Sequence, residues 1–233
     1  MGGGKENFSR YAIYYAPPEG PLAEFGARWL GWDPAVGQRR EHPAIDGLSR
    51  PVEVLTETPR KYGPHATLKP PFRLAPGSDF SAMRADLAAF AATQAPARAD
   101  ELALSRLGSF LALVPAGDSS EIATLAGGVV SALDHHRAPA SPAELARRRA
   151  AGLSDNQEAM LARWGYPYVM DEFRFHVTLT GRLNPDEVEV VRTALAPVLA
   201  PILPKPFVIA DLCLFGEDEA GMFHLLERFA LSG

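Results

Sequence analysis

Gly63-Pro64-His65-Ala66-Thr67-Leu68 and Phe175-His176-Val177-Thr178-Leu179 carry the same word, His-x-Thr-Leu, 111 residues apart. Successive side chains of an extended strand point to opposite faces. His65 and Thr67 therefore share one face of a strand and leave Ala66 and Leu68 to the other. His176 and Thr178 stand in the same relation to Val177 and Leu179. Each strand offers an imidazole and a hydroxyl to one side and packing surface to the other. A single such word arises by chance in half-buried strands; two in matching surroundings point to a common purpose.

Working outward, the surroundings repeat. The first half reads as strand (10–16), helix (21–32), a turn-rich excursion with some strand propensity at 52–56, motif strand (65–74), helix (80–94) and strand (102–107). The second reads as strand (109–114), helix (119–135), excursion, motif strand (171–181), helix (184–197) and strand (207–215), closed by a strand at 222–229. Even the text rhymes, YAIYYAPPEGPLAEF against FLALVPAGDSSEIATL. Residues 1–9 read as a flexible start. Apolar stripes at helical spacing support the helices, with Phe80, Met83, Leu87 and Phe90 on one and Val188, Val191 and Leu195 on another. Caps mark their starts: Ser78 or Asp79, capping boxes at Asp118–Glu121, Ser141–Glu144 and Ser154–Gln157, and a cap at Asn184-Pro185-Asp186-Glu187. Pro197 should end or kink the helix it sits in. Pro70-Pro71 cannot donate to a ladder, which sends that half of the first motif strand to a sheet edge.

The pattern predicts an α+β fold: two similar lobes from a tandem repeat, with antiparallel sheets flanked by helices. A pseudo-twofold axis would bring the motif strands together across a central cleft. The lobes are expected at 10–107 and 109–233. A helical insertion at 137–170 leads into the second motif, where it is placed to act as a lid.

Composition narrows the function classes. With 233 residues, 47% hydrophobic and 22% charged, the chain is an ordinary folded protein. The net charge of −5 argues against a broad nucleic-acid face, while a small anionic substrate remains compatible with a locally positive pocket. A lone cysteine, Cys213, excludes an internal disulfide and a cysteine zinc site; it reads as a buried strand residue. No apolar run is long enough to cross a membrane. The opening Met1–Glu6 has neither a signal-peptide core nor a myristoylation pattern, which makes the cytoplasm the expected location. No oligomeric state is legible.

Two histidines and two hydroxyls across a cleft suit phosphodiester chemistry without a metal. One neutral imidazole takes a proton from the attacking oxygen and the opposite imidazolium protonates the leaving one. Thr67 and Thr178 are placed to donate to the non-bridging oxygens. If the alternation holds, Lys69 and Arg174 share the motif faces and would neutralise phosphate. Tyr14 and Tyr62 are further candidates for substrate contact. Nothing in the strands says which histidine is base and which is acid. The bland readings stand beside these: a structural histidine on a strand, β-branched threonines that only pack, basic stems that cover a sheet edge. His135 and His136 end a predicted helix, where cations suit its dipole. His42 reads as a solvent-exposed loop residue, and His224 as a final-hairpin residue more often turned away from the cleft than toward it. Arg147-Arg148-Arg149 reads as a solvated helix face, with attraction of an anionic ligand near the cleft mouth as the alternative. A metal site needs three or four converging ligands, and no spacing suggests one. No cofactor is expected.

The two motifs, their spacing and the duplicated unit resemble the 2H phosphoesterase superfamily, which includes cyclic nucleotide phosphodiesterases and RNA 2′,5′-ligase-like proteins. The longer words RKYGPHATLKPPFRL and EFRFHVTLTGRL are similar to a bacterial branch associated with phosphonate metabolism through its genomic neighbours. The resemblance covers nearly the whole chain as one 2H-type domain. It implies general acid/base roles for His65 and His176 and phosphate binding by Thr67 and Thr178. Its genomic setting implies a small cyclic phosphosugar or nucleotide as substrate, hydrolysed without a metal. The alternatives are RNA-end processing at a 2′,3′-cyclic phosphate or 2′,5′ bond, and a non-catalytic phosphometabolite-binding protein.

Overall fold

Local chemistry in the chain fixes where most elements begin. The structure, a computed structural model, describes residues 8–233; the expected flexible start therefore lies, up to residue 7, outside the described residues. Strand β1 (Arg10–Tyr15) ends before Pro17-Pro18, and α1 (Pro21–Leu30) opens on a proline at its first turn. The first excursion holds a small hairpin of β2 (Trp32–Asp33) and β3 (Gln38–Arg39), a one-turn helix α2 (Val52–Leu55) and a 3-10 turn at Arg60–Tyr62. Then follow β4 (Ala66–Phe72), α3 (Phe80–Ala92), β5 (Ala97–Ala99), β6 (Glu101–Leu107) and β7 (Phe110–Ala116). Helices α4 (Ser120–Ala132), α5 (Pro142–Arg149) and α6 (Asp155–Trp164) precede β8 (Val177–Thr178). The chain closes with α7 (Pro185–Leu199), β9 (Phe207–Ile209), β10 (Asp211–Glu217) and β11 (Phe223–Ala230).

Ser141, Ser154 and Asn184 each close a full capping box, with Glu144, Gln157 and Glu187 reaching back. Asp79 caps α3, leaving Ser78 to bond His136. The box expected at Asp118–Glu121 does not close. Asp118 accepts from Ser120, while Glu121 turns away to the Arg98 backbone N–H. Helix α7 runs through Pro197 to Leu199 instead of stopping there. The proline sits in the last turn, where its missing N–H removes one bond from the ladder.

Two antiparallel sheets carry the motifs. One has the order β11-β10-β1-β4 and the other β6-β7-β8. β4 is an edge strand, as Pro70-Pro71 require. A division at 107/109 does not separate the sheets: β6 pairs with β7, and β10 pairs with β1. Each motif strand lies beside the first strand of its own half, whose other side takes a strand from the opposite half. Short β5 pairs with β9, a contact the sequence did not signal. The second motif strand, expected over 171–181, shrinks to Val177–Thr178. Residues 170–172 form a 3-10 turn, and the N–H groups of Leu179 and Thr180 both aim at the Leu111 carbonyl, which ends the regular ladder.

The odd residues of β1, Tyr11, Ile13 and Tyr15, face the main core with α3, α4 and α7. The even residues Ala12, Tyr14 and Ala16 face a second apolar cluster with Cys213, Phe215 and Phe223. One side chain ties the halves: buried Trp29 of α1 donates its indole N–H to the Leu179 carbonyl at 2.7 Å. Beside it, Gly26 packs so closely on Pro64 that an added Cβ would lie 2.6 Å from the proline ring. No helix among the described residues is long and apolar enough to cross a membrane.

A bulge decides the fate of Lys69. Tyr14 pairs with Thr67, but its neighbour Ile13 pairs with Lys69, so Leu68 is an extra residue in β4. That step turns Lys69 to the core face. Only 2% exposed, its Nζ donates to the Val130 carbonyl at 3.1 Å and lies 3.5 Å from Asp134. Val130 is in the last turn of α4, where carbonyls lack helical partners, so Lys69 serves as a buried C-terminal cation for that helix. Burial lowers its pKa to about 8, against the pull of Asp134.

Two stability changes follow, both readable by urea unfolding. Trp29→Phe keeps the ring but strands the Leu179 carbonyl, and should cost about 1–3 kcal/mol. Lys69→Met removes the α4 contact but leaves Asp134 paired with Arg137, and should cost about 1–2 kcal/mol.

Candidate functional site

The first motif is set by the turn before it. Gly63 has φ of 66°, in the region where glycine is at ease, and a Cβ there would lie 2.5 Å from Pro34. The turn aims the Gly63 carbonyl at Nδ1 of His65, 3.1 Å away. A carbonyl only accepts, so Nδ1 carries the proton and Nε2 is left with its lone pair. Tyr14 lies against the imidazole at 4.3 Å between centroids, and Tyr62 at 5.0 Å. Thr67, opposite Tyr14 in register, shares that side of the sheet.

The second motif repeats the arrangement. Nδ1 of His176 bonds the Arg174 carbonyl at 2.7 Å, again from two residues back. Phe175, Val177 and Leu179 are buried, which turns His176 and Thr178 the other way. Thr178 pairs with Ala112, and Phe110 lies 6.0 Å from the His176 ring. Neither Thr67 nor Thr178 has its hydroxyl engaged by another described residue. Thr180 differs: its buried hydroxyl oxygen accepts from the Leu111 N–H at 3.0 Å and patches the broken ladder.

A cleft of about 480 Å³ joins the two motifs, with Thr67, Phe110, Tyr166, Tyr168, Arg174 and His176 on its wall. Burial lowers the pKa of His65 to about 4, the Gly63 bond works the other way, and the charge of His176 lowers it further. His65 is therefore neutral at neutral pH. Burial likewise raises the Tyr14 phenol well above its ordinary value, helped by Tyr62 and Tyr166.

The candidates read from the sequence divide accordingly. Thr67 and His176 line the cleft, one from each motif, while His65 and Thr178 are not on its wall. Arg174 is on its wall, Tyr14 and Tyr62 pack on His65, and Tyr62 stacks on Phe223 at 4.7 Å. Lys69 does not reach the cleft: the bulge at Leu68 sends it into the core. His224 bonds Asp218 at 2.8 Å, and His42 bonds the carbonyls of Arg28 and Trp29 at the end of α1, so neither joins the cleft. Tyr166 and Tyr168 were not read as site residues. Their signal was the stop after α6, Gly165-Tyr166-Pro167-Tyr168, where aromatic residues stand in an exit loop. Helices α5 and α6, the expected insertion, thus deliver two aromatic rings to the cleft.

Among the described residues one trio could present three ligands to a metal ion. His135 and His136 each place Nε2 2.9 Å from Oδ2 of Asp86, and Ser78 bonds the other nitrogen of His136 at 2.6 Å. These contacts hold the Asp86 carboxyl below the usual range. None of the three lines the cleft. Asp86 lies on α3, about 50 residues away in the chain, which is why spacing did not reveal the group.

The chain is 38% identical to a protein of Janthinobacterium sp. (strain Marseille) named ribose 1,5-bisphosphate phosphokinase PhnN, over 98% of this chain and 52% of that one. A protein of the same name from Laribacter hongkongensis (strain HLHK9) is 36% identical over 91% of this chain and 49% of its own length. The chain thus spans about half the length of the curated relatives it matches. A solved structure titled as that of a phosphoesterase aligns with 97% of this chain and 100% of its own, at 17% identity and a TM-score of 0.43, too distant to carry an argument. Residues 67–224 match the profile of the family described as Protein of unknown function (DUF1045). The chain belongs to the DUF1045 family.

Proposed function

We propose that the cleft hydrolyses a small cyclic phosphodiester, a phosphosugar or nucleotide, by metal-independent acid/base catalysis between His65 and His176. The observation that carries this reading is the matched tautomer: both histidines donate Nδ1–H to a carbonyl two residues back, which leaves both Nε2 atoms for chemistry. His65, held neutral by burial, is the base. Water attacks phosphorus as one ring P–O bond breaks; its proton passes to Nε2 of His65. The departing oxygen takes the proton from Nε2 of His176, giving a monoester and a free hydroxyl. Thr67 and Thr178, whose hydroxyls are unengaged, donate to the non-bridging oxygens as charge grows there. Arg174 supplies positive charge at the rim, and Tyr62 and Tyr14 hold the His65 ring by stacking. The insertion, with its Tyr166 and Tyr168, closes over bound substrate as a lid. The names of the half-matched relatives point to phosphorylated ribose, which favours a cyclic phosphosugar.

The test is turnover of ribose cyclic, nucleoside 2′,3′-cyclic and 3′,5′-cyclic phosphates in EDTA. His65→Ala and His176→Ala should each lower kcat on the accepted substrate about 10²–10⁴-fold. Turnover that survives both changes, or that appears only with added metal, overturns the mechanism. A clear preference for RNA ends with steep salt dependence would give the RNA-end reading. A melting shift without turnover would give a binding protein.

The pH profile is a second test. A base held at about 4 stays active well below the ordinary imidazole range near 6.5. The acid-side fall of kcat/KM should therefore have its midpoint near pH 4.

A further inference from the structure

Behind the cleft wall, arginines outnumber the carboxylates that pair with them. Arg10, Arg73, Arg137 and Arg148 line a small hollow of about 30 Å³. Glu217 pairs with Arg10 at 2.6 Å, Glu144 with Arg73 at 2.7 Å, and Asp134 with Arg137 at 2.7 Å. Asp134 also serves buried Lys69. Five cations thus meet three carboxylates, a local surplus of two positive charges in a chain whose net charge is −5. Arg148 is the arginine left over. Among the described residues it has no ion-pair partner, and its buried Nε has no acceptor.

Its position relative to the cleft is set by Tyr166. The Arg148 guanidinium lies 4.5 Å from the Tyr166 ring centroid, and that ring is part of the cleft wall. A guanidinium is a fork of donors, and an unanswered buried donor calls for an acceptor.

We propose that Arg148 forms an anion subsite beside Tyr166 at the edge of the cleft, which takes a phosphate monoester carried by the substrate away from the scissile bond. This deepens the phosphodiesterase reading and rests on it. A dianionic phosphate matches both the surplus charge and the fork geometry of arginine. Arg148 comes from α5, so the insertion would contribute to selecting the substrate as well as covering it.

The test pairs each cyclic phosphate with its analogue bearing a second phosphate at sugar C5. The natural chain should prefer the doubly phosphorylated member in kcat/KM by about tenfold or more. Arg148→Gln should bring that ratio close to one, Arg148→Lys should restore part of it, and exposed Arg147→Gln should leave it intact. A ratio unchanged in Arg148→Gln, or no preference in the natural chain, overturns the proposal. If no cyclic phosphate is turned over, the phosphodiesterase reading fails. The subsite is then judged by calorimetry with inorganic phosphate alone. Binding at least about tenfold weaker in Arg148→Gln supports it, and equal binding in the two proteins overturns it.

Discussion

The hydrogen bond from Trp29 to the Leu179 carbonyl joins the two halves of the chain at the point where they must agree. Leu179 follows Thr178 directly, and the helix that carries Trp29 presses Gly26 against Pro64, the residue before His65. One helix therefore touches both motifs. The bond is buried, where a donor or acceptor left alone costs more than in water. The brace acts together with the shared core and the Lys69 bond to α4.

The same economy governs the two imidazoles. Each is held by a backbone carbonyl of its own strand, so neither depends on a distant carboxylate for its tautomer. The cost of that independence falls on His65. With no anion beside it and His176 nearby, the buried ring resists a proton. Burial thus weighs on the proton of His65, a property of its surroundings that the motif does not encode.

Charge is handled differently outside the motifs. Lys69, Arg10, Arg73 and Arg137 are each matched to a carboxylate, and they stiffen the edge of the first sheet against α4 and the insertion. Arg148 stands beside them without one. The difference between a matched and an unmatched cation separates structure from candidate function more cleanly than exposure does. Buried Lys69 has a carboxylate beside it, while half-buried Arg148 has only the Tyr166 ring.

By itself, the sequence determined the α+β class, most helix starts and the two matching His-x-Thr-Leu words. These rest on local physics: side-chain alternation, capping oxygens and apolar stripes act within a few residues. The edge position of β4 followed from Pro70-Pro71 for the same reason. Only the tertiary structure decided that Lys69 turns inward, because a bulge depends on how β4 registers against β1. It alone also decided that the second motif strand is two residues long, because Thr180 and Leu111 break the ladder across strands. The exchange of β6 and β10 between the halves, the arrival of Tyr166 at the cleft and the meeting of Asp86 with His135 and His136 belong to the same group. Each is a contact between residues far apart in the chain, fixed by packing and by the need to satisfy buried polar groups, which no local pattern records.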